Sequence, residues 1–185
     1  NVIMRFSEQN PSTLIEVHEG PHLDLTSRLR RGMLDVVVGR LGRPDTMVGL
    51  SFQQLYQEKV VVVASPQSPA RGIDDPAELA QFRVLYPPKE SAIRPLVARQ
   101  LIAEGVPLYR NRIETASPAV ARAIVLADPN AVWVISEGVV ADDIAVGQLA
   151  MLPIVLSSTE GAVGIMTRAE EVPSVANRSF ARLLG

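Results

Sequence analysis

Short runs of β-branched residues alternate along this chain with amphipathic segments that start at capping residues. The clearest runs are Val36-Val37-Val38 and Val60-Val61-Val62-Val63. Continuous apolar runs of this length are typical of strands that are buried on both faces of a sheet. The segments between them repeat apolar residues at every third or fourth position, as helices packed on a sheet do. The alternation therefore predicts an α/β fold with a mostly parallel sheet covered by helices.

The predicted strands share an apolar or alternating pattern and are bounded by polar, glycine or proline residues. They are Leu14–His18, Asp35–Gly39, Leu50–Tyr56, Lys59–Ser65, Arg83–Tyr86, Arg112–Ala116, Ala131–Ile135, Gln148–Pro153 and Ala162–Thr167. The predicted helices follow capping residues or a proline. One helix carries Leu25, Leu29 and Met33, and the others run from Ser91 to Glu104, from Ser117-Pro118 to a stop before Pro129, from Ser136 to Asp142, and from Pro173 to Leu184.

The regular order breaks where two predicted strands follow each other without a helix, around Gln57-Glu58. A stretch with two prolines, a serine and a glycine, residues 66–72, comes next and has the composition of a linker. We therefore predict two Rossmann-like subdomains. The first comprises residues 1–65 and 153–185, and the second comprises residues 73–150. Residues 66–72 and 151–153 are predicted to be the hinge crossings, with a ligand cleft between the lobes.

Composition excludes several classes of protein. The chain has no cysteine and only 2 histidines, which excludes a disulfide scaffold and makes a catalytic metal site unexpected. Its net charge of -2 argues against binding a phosphate backbone by charge alone. No apolar stretch approaches the length of a membrane span. The chain starts with Asn1 rather than Met and shows no leader pattern, so we expect a piece of a longer polypeptide.

No constellation of catalytic residues is visible in the sequence. It contains no G-x-S-x-G elbow, no Walker A loop, no G-x-G-x-x-G turn and no HExxH motif. The chain is therefore predicted not to be an enzyme and to need no cofactor and no metal.

Helix starts that follow strands are the candidate ligand-binding positions. Such starts expose unpaired amides and the positive end of the helix dipole, and in open α/β sheets they lie where ligands bind. The predicted contacts are Pro21 and His22, the amides of Ser91, Ala92 and Ile93, Ser117, Glu137, and Arg40 as a partner for a carboxylate. Any single serine at such a start is more often only a helix cap. The shared location of four such starts is what favours a site for a small anion.

The order and spacing of several motifs resemble one known family. The segment Leu29-Arg30-Arg31-Gly32-Met33-Leu34-Asp35-Val36-Val37-Val38-Gly39 is similar to the L-x-x-G-x-L-D-(L/V)-x-(I/V)-G segment of the effector-binding domain of LysR-type transcriptional regulators. The Lys59–Val63 strand, the Ser68-Pro69-Ala70 turn and Val132–Glu137 match later parts of it. The resemblance covers essentially the whole chain. Two stretches, Gly39–Leu41 and Met47–Phe52, look closest to the branch with regulators of protocatechuate catabolism and of a galactose-binding protein.

This resemblance implies a fold like that of type 2 periplasmic binding proteins and a small-molecule inducer, here expected to bear a carboxylate. It also implies homodimers or homotetramers in the bacterial cytoplasm, without a membrane partner. DNA would be contacted only through an N-terminal helix-turn-helix domain. That domain and the first strand of the effector domain are expected to precede this chain. Pro21-His22 and Ser136-Glu137 depart from the residues usual in the family, so the inducer chemistry is expected to differ.

Two other classes of protein stay open at this point. An extracytoplasmic solute-binding protein of similar fold is the main alternative, and an α/β enzyme is the other. The residues encoded before Asn1 would separate the three classes. A basic helix-turn-helix would favour the regulator, a leader peptide would favour the solute-binding protein, and neither would leave the enzyme.

Overall fold

The computed structural model describes residues 2–185 of the chain. The chain forms two compact units. The first unit comprises Asn1–Tyr56 and Ala162–Gly185, and the second unit comprises Gln57–Gly161. The helices are α1 (Val2–Gln9), α2 (His22–Arg30), α3 (Arg94–Ala103), α4 (Pro118–Ala127), α5 (Glu137–Ala145) and α6 (Val175–Leu184), and the strands are β1 (Val37–Arg40), β2 (Leu50–Glu58), β3 (Val60–Ala64), β4 (Arg83–Tyr86), β5 (Arg112–Glu114), β6 (Ala131–Ser136), β7 (Ala150–Met151) and β8 (Gly161–Arg168). The predicted α/β class is confirmed.

The first unit is built on a sheet of three strands in the order β1-β8-β2. Strands β1 and β8 are antiparallel, with Val38 opposite Ile165. The fully buried side chains of Leu29 and Met166 connect α2 to this sheet. Helices α1 and α6 pack together, and the rings of Phe6 and Phe180 meet edge to face with their centroids 5.3 Å apart.

The second unit is built on a five-stranded sheet in the order β5-β4-β6-β3-β7. Successive residues of each strand point to opposite faces, so one sheet forms two cores. On one face Val84 and Tyr86 of β4 pack with Val97 and Leu101 of α3. On the other face Leu85 and Trp133 pack with Val125 of α4, and Val140 of α5 joins the same core.

The strand directions differ from the mostly parallel sheet that the sequence predicts. Strand β4 runs parallel to both β5 and β6, but β3 runs antiparallel to β6 and to β7. Strand β3 follows β2 after the single residue Lys59, so it enters this sheet without the crossover helix that would make it parallel.

The two units also begin and end at different residues from those predicted. The sequence assigns β3 to the first subdomain, yet β3 pairs with β6 and β7 of the second unit. The stretch 66–72, predicted to be a hinge, includes a short 3₁₀ helix at Pro69–Gly72, and Ala70 is fully buried in the core of the second unit. Residues 151–153 lie inside the second unit as well. Small residues in a Pro-rich stretch look like a linker by composition, but here they pack.

The predicted strand Leu14–His18 is not a strand in the structure. This segment lines a groove of about 650 Å³ in the first unit, together with Val36, Val37 and Val38. A strand needs a hydrogen-bonded neighbour, and none of residues 2–185 pairs with this segment. The sequence pattern therefore indicates a strand that has no partner within the described chain. The predicted strand Gln148–Pro153 is shorter in the structure. Only β7 remains of it, because the segment pairs with β3 at two positions only.

Candidate functional site

Three helix starts lie at the same edge of the five-stranded sheet. Strands β4, β5 and β6 run in one direction, and each leads into a helix at its carboxyl end. The core contacts place α3 on one face of this sheet and α4 and α5 on the other. Five of the predicted site residues, Ser91, Ala92, Ile93, Ser117 and Glu137, belong to these three starts.

The start of α3 offers fewer free amides than the sequence predicts. The amide of Ser91 donates to the carbonyl oxygen of Pro88 at 3.0 Å, and the amide of Ile93 faces the Ser91 hydroxyl at 3.4 Å. The amide of Ala92 has no hydrogen-bond acceptor among residues 2–185. Ala92 is half-buried whereas Ile93 is buried. Of the three predicted amides, that of Ala92 is the one whose hydrogen is available to an anion.

The starts of α4 and α5 are occupied by groups of the protein itself. The Ser117 hydroxyl accepts from the Val120 amide at 3.4 Å, and the Ser117 amide donates to the Thr115 hydroxyl at 3.1 Å. At α5 the amide of Gly138 donates to a carboxylate oxygen of Glu58 at 2.6 Å. The backbone amide of the predicted contact Glu137 donates to the Lys59 carbonyl. Glu58 therefore already supplies the negative charge that a helix start favours.

A group of charged side chains that the sequence pattern does not reveal, Arg94, Arg112 and Glu114, lies beside the start of α3. The Arg94 guanidinium lies over the ring of Tyr86, with its Cζ atom 4.6 Å from the ring centroid. It donates to the Pro87 carbonyl at 2.7 Å and lies 3.2 Å from a carboxylate oxygen of Glu114. The same oxygen of Glu114 accepts from Arg112 at 2.7 Å. Arg94 could have been found because it directly follows Ser91-Ala92-Ile93, but sequence gives no sign of its burial.

The electrostatics of this group follow from its two arginines. Hydrogen bonds from Arg112 hold the pKa of the Glu114 carboxyl below its usual value, and Arg94 acts in the same direction. Burial raises the pKa of the Tyr86 hydroxyl. That hydroxyl is enclosed and has no hydrogen-bond partner among the described residues. An enclosed hydroxyl without an acceptor is uncommon in folded proteins and calls for an explanation.

The remaining predicted contacts, Pro21, His22 and Arg40, lie in the first unit. Pro21 precedes α2 with an extended backbone, and His22 is the first residue of that helix. Arg40 is the last residue of β1, and its exposed fraction is only 8%. His22 and Arg40 thus lie at the ends of two elements of one unit, and their contact with a ligand stays a prediction.

His22 is fixed to the loop that follows β1. Its Nε2 atom lies 3.3 Å from the Thr46 hydroxyl, which itself donates to the Arg43 carbonyl at 2.8 Å. Thr46 therefore accepts from His22, which places the ring proton on Nε2. A side chain at Gly42 would collide with both His22 and Thr46, so glycine permits this close approach. Burial lowers the pKa of His22, and the charge of Arg30 lowers it further.

This lowered pKa predicts a stability that depends on pH. Because His22 takes up a proton less readily in the folded chain than in the unfolded chain, the folded state is favoured above pH 6.5, the ordinary pKa of histidine. That advantage is lost as the pH falls through the lower pKa of the folded state. Between pH 7.5 and pH 5 the wild type should therefore lose more unfolding free energy than His22→Gln, as measured by urea unfolding. The difference should persist when His18→Gln removes the other histidine, and identical pH profiles would contradict it.

The described residues show neither a metal site nor a membrane-spanning helix. Residues 2–185 contain no group of three or more His, Asp or Glu side chains placed to hold a metal ion. No helix among them is long and apolar enough to cross a membrane. The groove between residues 13–18 and 35–38 is lined by none of the predicted site residues.

Solved structures of other proteins share this fold. The regulatory domain of CcmR from Synechocystis, in complex with 2-PG, matches with a TM-score of 0.81, at 18% sequence identity over 99% of this chain and 87% of that chain. The effector-binding domain of QuiR in complex with shikimate matches with a TM-score of 0.77, at 13% identity over 99% of this chain and 86% of that chain. The fold is thus that of LysR-type regulatory domains, which resemble type 2 periplasmic binding proteins.

The chain belongs to the LysR substrate binding domain family, whose sequence model matches residues 1–185. The transcriptional regulator PcaQ of Agrobacterium fabrum is 42% identical over 172 residues, which cover 92% of this chain and 55% of PcaQ. The regulator GalR of Pseudomonas putida is 30% identical over 176 residues, covering 91% of this chain and 43% of GalR. The family predicted from the sequence is confirmed. The chain spans about half the length of the curated relatives that it matches.

Proposed function

We propose that this chain is the effector-binding part of a LysR-type transcriptional regulator and that its effector is a small metabolite with a carboxylate group. The effector is held at the carboxyl edge of the five-stranded sheet, beside the start of α3. The observation that carries the choice of ligand is the Ala92 amide, which has no acceptor among residues 2–185 and lies at a helix start. Such a start favours negative charge.

The predicted contacts contribute unequally in this proposal. Ala92 is the main backbone donor, and the hydroxyls of Ser91 and Ser117 can turn to the ligand by giving up long hydrogen bonds of 3.4 Å each. Glu137 is a weak candidate, because its helix start already holds Glu58. Pro21, His22 and Arg40 stay predicted contacts from the first unit, and the enclosure of the ligand between two lobes stays a prediction.

The proposal extends to the partners of the whole protein. The regulator reads DNA through a domain outside this chain, acts in the cytoplasm, and has no enzymatic activity. It works as a homodimer or homotetramer, to which Leu23 in α2 and Met33 shortly after that helix, exposed to 45% and 61%, contribute apolar surface. The family match and the relatives favour this role over an extracytoplasmic solute-binding protein.

Thermal unfolding in the presence of a ligand panel tests the proposal. The panel contains aromatic acids such as protocatechuate, the isomers of muconate, shikimate, and neutral sugars. We expect at least one acid to stabilise the protein, by about 2.7 kcal/mol at a concentration of 100 times its Kd. For a protein of this length such a gain is a rise in Tm of several degrees.

Ester or aldehyde analogues of the acids are the matched controls for that experiment. They keep the shape of the ligand and lose its charge, so they should stabilise the protein much less than the acids do. If only the sugars stabilise the protein, or if an ester acts as strongly as its acid, the choice of a carboxylate effector is wrong.

A further inference from the structure

We infer that Arg94 is the cation that binds the carboxylate of the effector, and that Glu114 forms an ion pair with Arg94 until the effector binds. This inference rests on the proposed function and deepens it. It adds to the Ala92 amide a guanidinium that selects for an acid.

Arg94 is held in place by contacts that leave most of its donors unused. The flat guanidinium lies over the Tyr86 ring, and its Nη1 atom donates to the Pro87 carbonyl at 2.7 Å. Its Nε and Nη2 atoms make no hydrogen bond to any of the residues 2–185, although only 12% of the side chain is exposed. The Nε–Nη2 edge of arginine matches the two oxygens of a carboxylate. Contacts that already restrain the guanidinium also reduce the entropy lost on binding.

The charges around Arg94 leave one positive charge in excess. Arg94, Arg112 and Glu114 form a chain of ion pairs with two cations and one anion. Lys89 and Glu90, on the exposed loop before α3, cancel each other. An added carboxylate therefore brings this group to neutrality, whereas a second cation or a neutral sugar does not.

Glu114 can release Arg94 to a ligand and still keep an ion pair of its own. Its oxygen is 2.7 Å from Arg112 and 3.2 Å from Arg94, so the shorter and better aligned hydrogen bond is the one to Arg112. Arg112 is itself anchored through a bond to the Tyr109 carbonyl at 2.8 Å. If a ligand carboxylate takes Arg94, Glu114 keeps its partner Arg112 and is not left as an unpaired charge.

Two further groups beside Arg94 lack an acceptor. The Ala92 amide lies two residues before Arg94 at the same helix start, and the hydroxyl of Tyr86 belongs to the ring on which Arg94 lies. Neither has a hydrogen-bond partner among the described residues. The unused Nε–Nη2 edge of Arg94 and the Ala92 amide together indicate a place for an oxyanion.

Titration calorimetry with matched ligand pairs tests this inference. The pairs are protocatechuate with 3,4-dihydroxybenzaldehyde, and shikimate with methyl shikimate. Arg94→Gln should weaken binding of the acid by about 30-fold, the usual loss for a charged hydrogen-bonded pair, and should leave the ester or aldehyde unchanged. Arg94→Lys keeps the charge and loses the fork, so it should lie between the wild type and Arg94→Gln. Arg99→Gln changes an exposed arginine of the same helix and should bind like the wild type.

Glu114→Gln distinguishes a competing charge from a structural support. Since the variant removes the negative charge nearest Arg94, it should bind the acid about 3-fold to 10-fold more tightly. Weaker binding by Glu114→Gln in a protein with unchanged thermal unfolding would overturn the role given to Glu114. Acid binding by Arg94→Gln that equals the wild type would overturn the inference while leaving the proposed function intact. A wild type that binds none of the panel acids would overturn both.

Discussion

Replacing Gly164 by alanine is expected to lower the unfolding free energy by about 3 kcal/mol or more, the upper range for overpacking a close-packed site. Gly164 lies in β8, the central strand of the three-stranded sheet. A Cβ atom there would lie 2.7 Å from the Cζ atom of Phe52 and 2.9 Å from the carbonyl carbon of Gln53, and closer still to the Gln53 oxygen. The neighbouring backbone belongs to β2, so relief of the clash would require two paired strands to separate.

Gly72→Ala is the matched control for this experiment. A Cβ atom at Gly72 meets nothing within 4 Å, and its backbone needs no left-handed conformation. Its unfolding free energy, measured by urea unfolding, should lie within about 0.5 kcal/mol of the wild type. If Gly164→Ala is as stable as Gly72→Ala, the close packing of β8 against β2 is wrong.

Replacing Thr159 by valine is expected to cost about 2 kcal/mol although the two side chains have nearly the same shape. The fully buried Thr159 hydroxyl accepts from the Val60 amide at 3.0 Å and donates to the Leu156 carbonyl at 2.5 Å. Valine would leave the Val60 amide without this acceptor, and an unpaired buried group costs about 1–3 kcal/mol, whereas the Leu156 carbonyl keeps its hydrogen bond from the Thr159 amide at 3.0 Å. Urea unfolding measures the loss directly.

Thr159→Ser separates the hydroxyl from the methyl group. Serine keeps both hydrogen bonds and loses one methyl group, so the expected cost is about 1 kcal/mol. A valine variant that is no less stable than the serine variant would mean that the Val60 amide finds another acceptor. The hydrogen bond of Thr159 would then not be what secures the first residue of β3.

Much of the fold could be predicted because apolar runs and caps are local signals. The strand Arg83–Tyr86 has the predicted bounds, and Ser117 caps α4 as its sequence indicates. The Pro66–Gly72 stretch has the composition of a linker, but composition does not reveal burial, and the buried Ala70 belongs to the core. The segment Leu14–His18 has the pattern of a strand, but pairing is a long-range property that no local pattern contains.

Strand-to-helix order alone predicts that Ser91, Ala92 and Ser117 lie at one sheet edge, and β4 does run parallel to β5 and β6. That these residues bind a ligand stays a prediction. Strand-to-helix order could not show that Glu58 fills the start of α5, since these residues are 80 positions apart in the chain. Nor could it show that Arg94 lies on Tyr86. Contacts between side chains from separate elements are set by packing, which the sequence does not display.

Binding of the effector at the start of α3 can be mapped by amide chemical shifts during titration with an acid that stabilises the protein. We expect the largest shifts at Ala92 and its neighbours at the start of α3, with the Nε–H signal of Arg94 moving alongside them. The ester of the same acid should produce much smaller shifts at these positions. Shifts concentrated in the groove lined by residues 13–18 and 35–38, with the signals of Ala92 and Arg94 unchanged, would show that the effector does not bind at the start of α3.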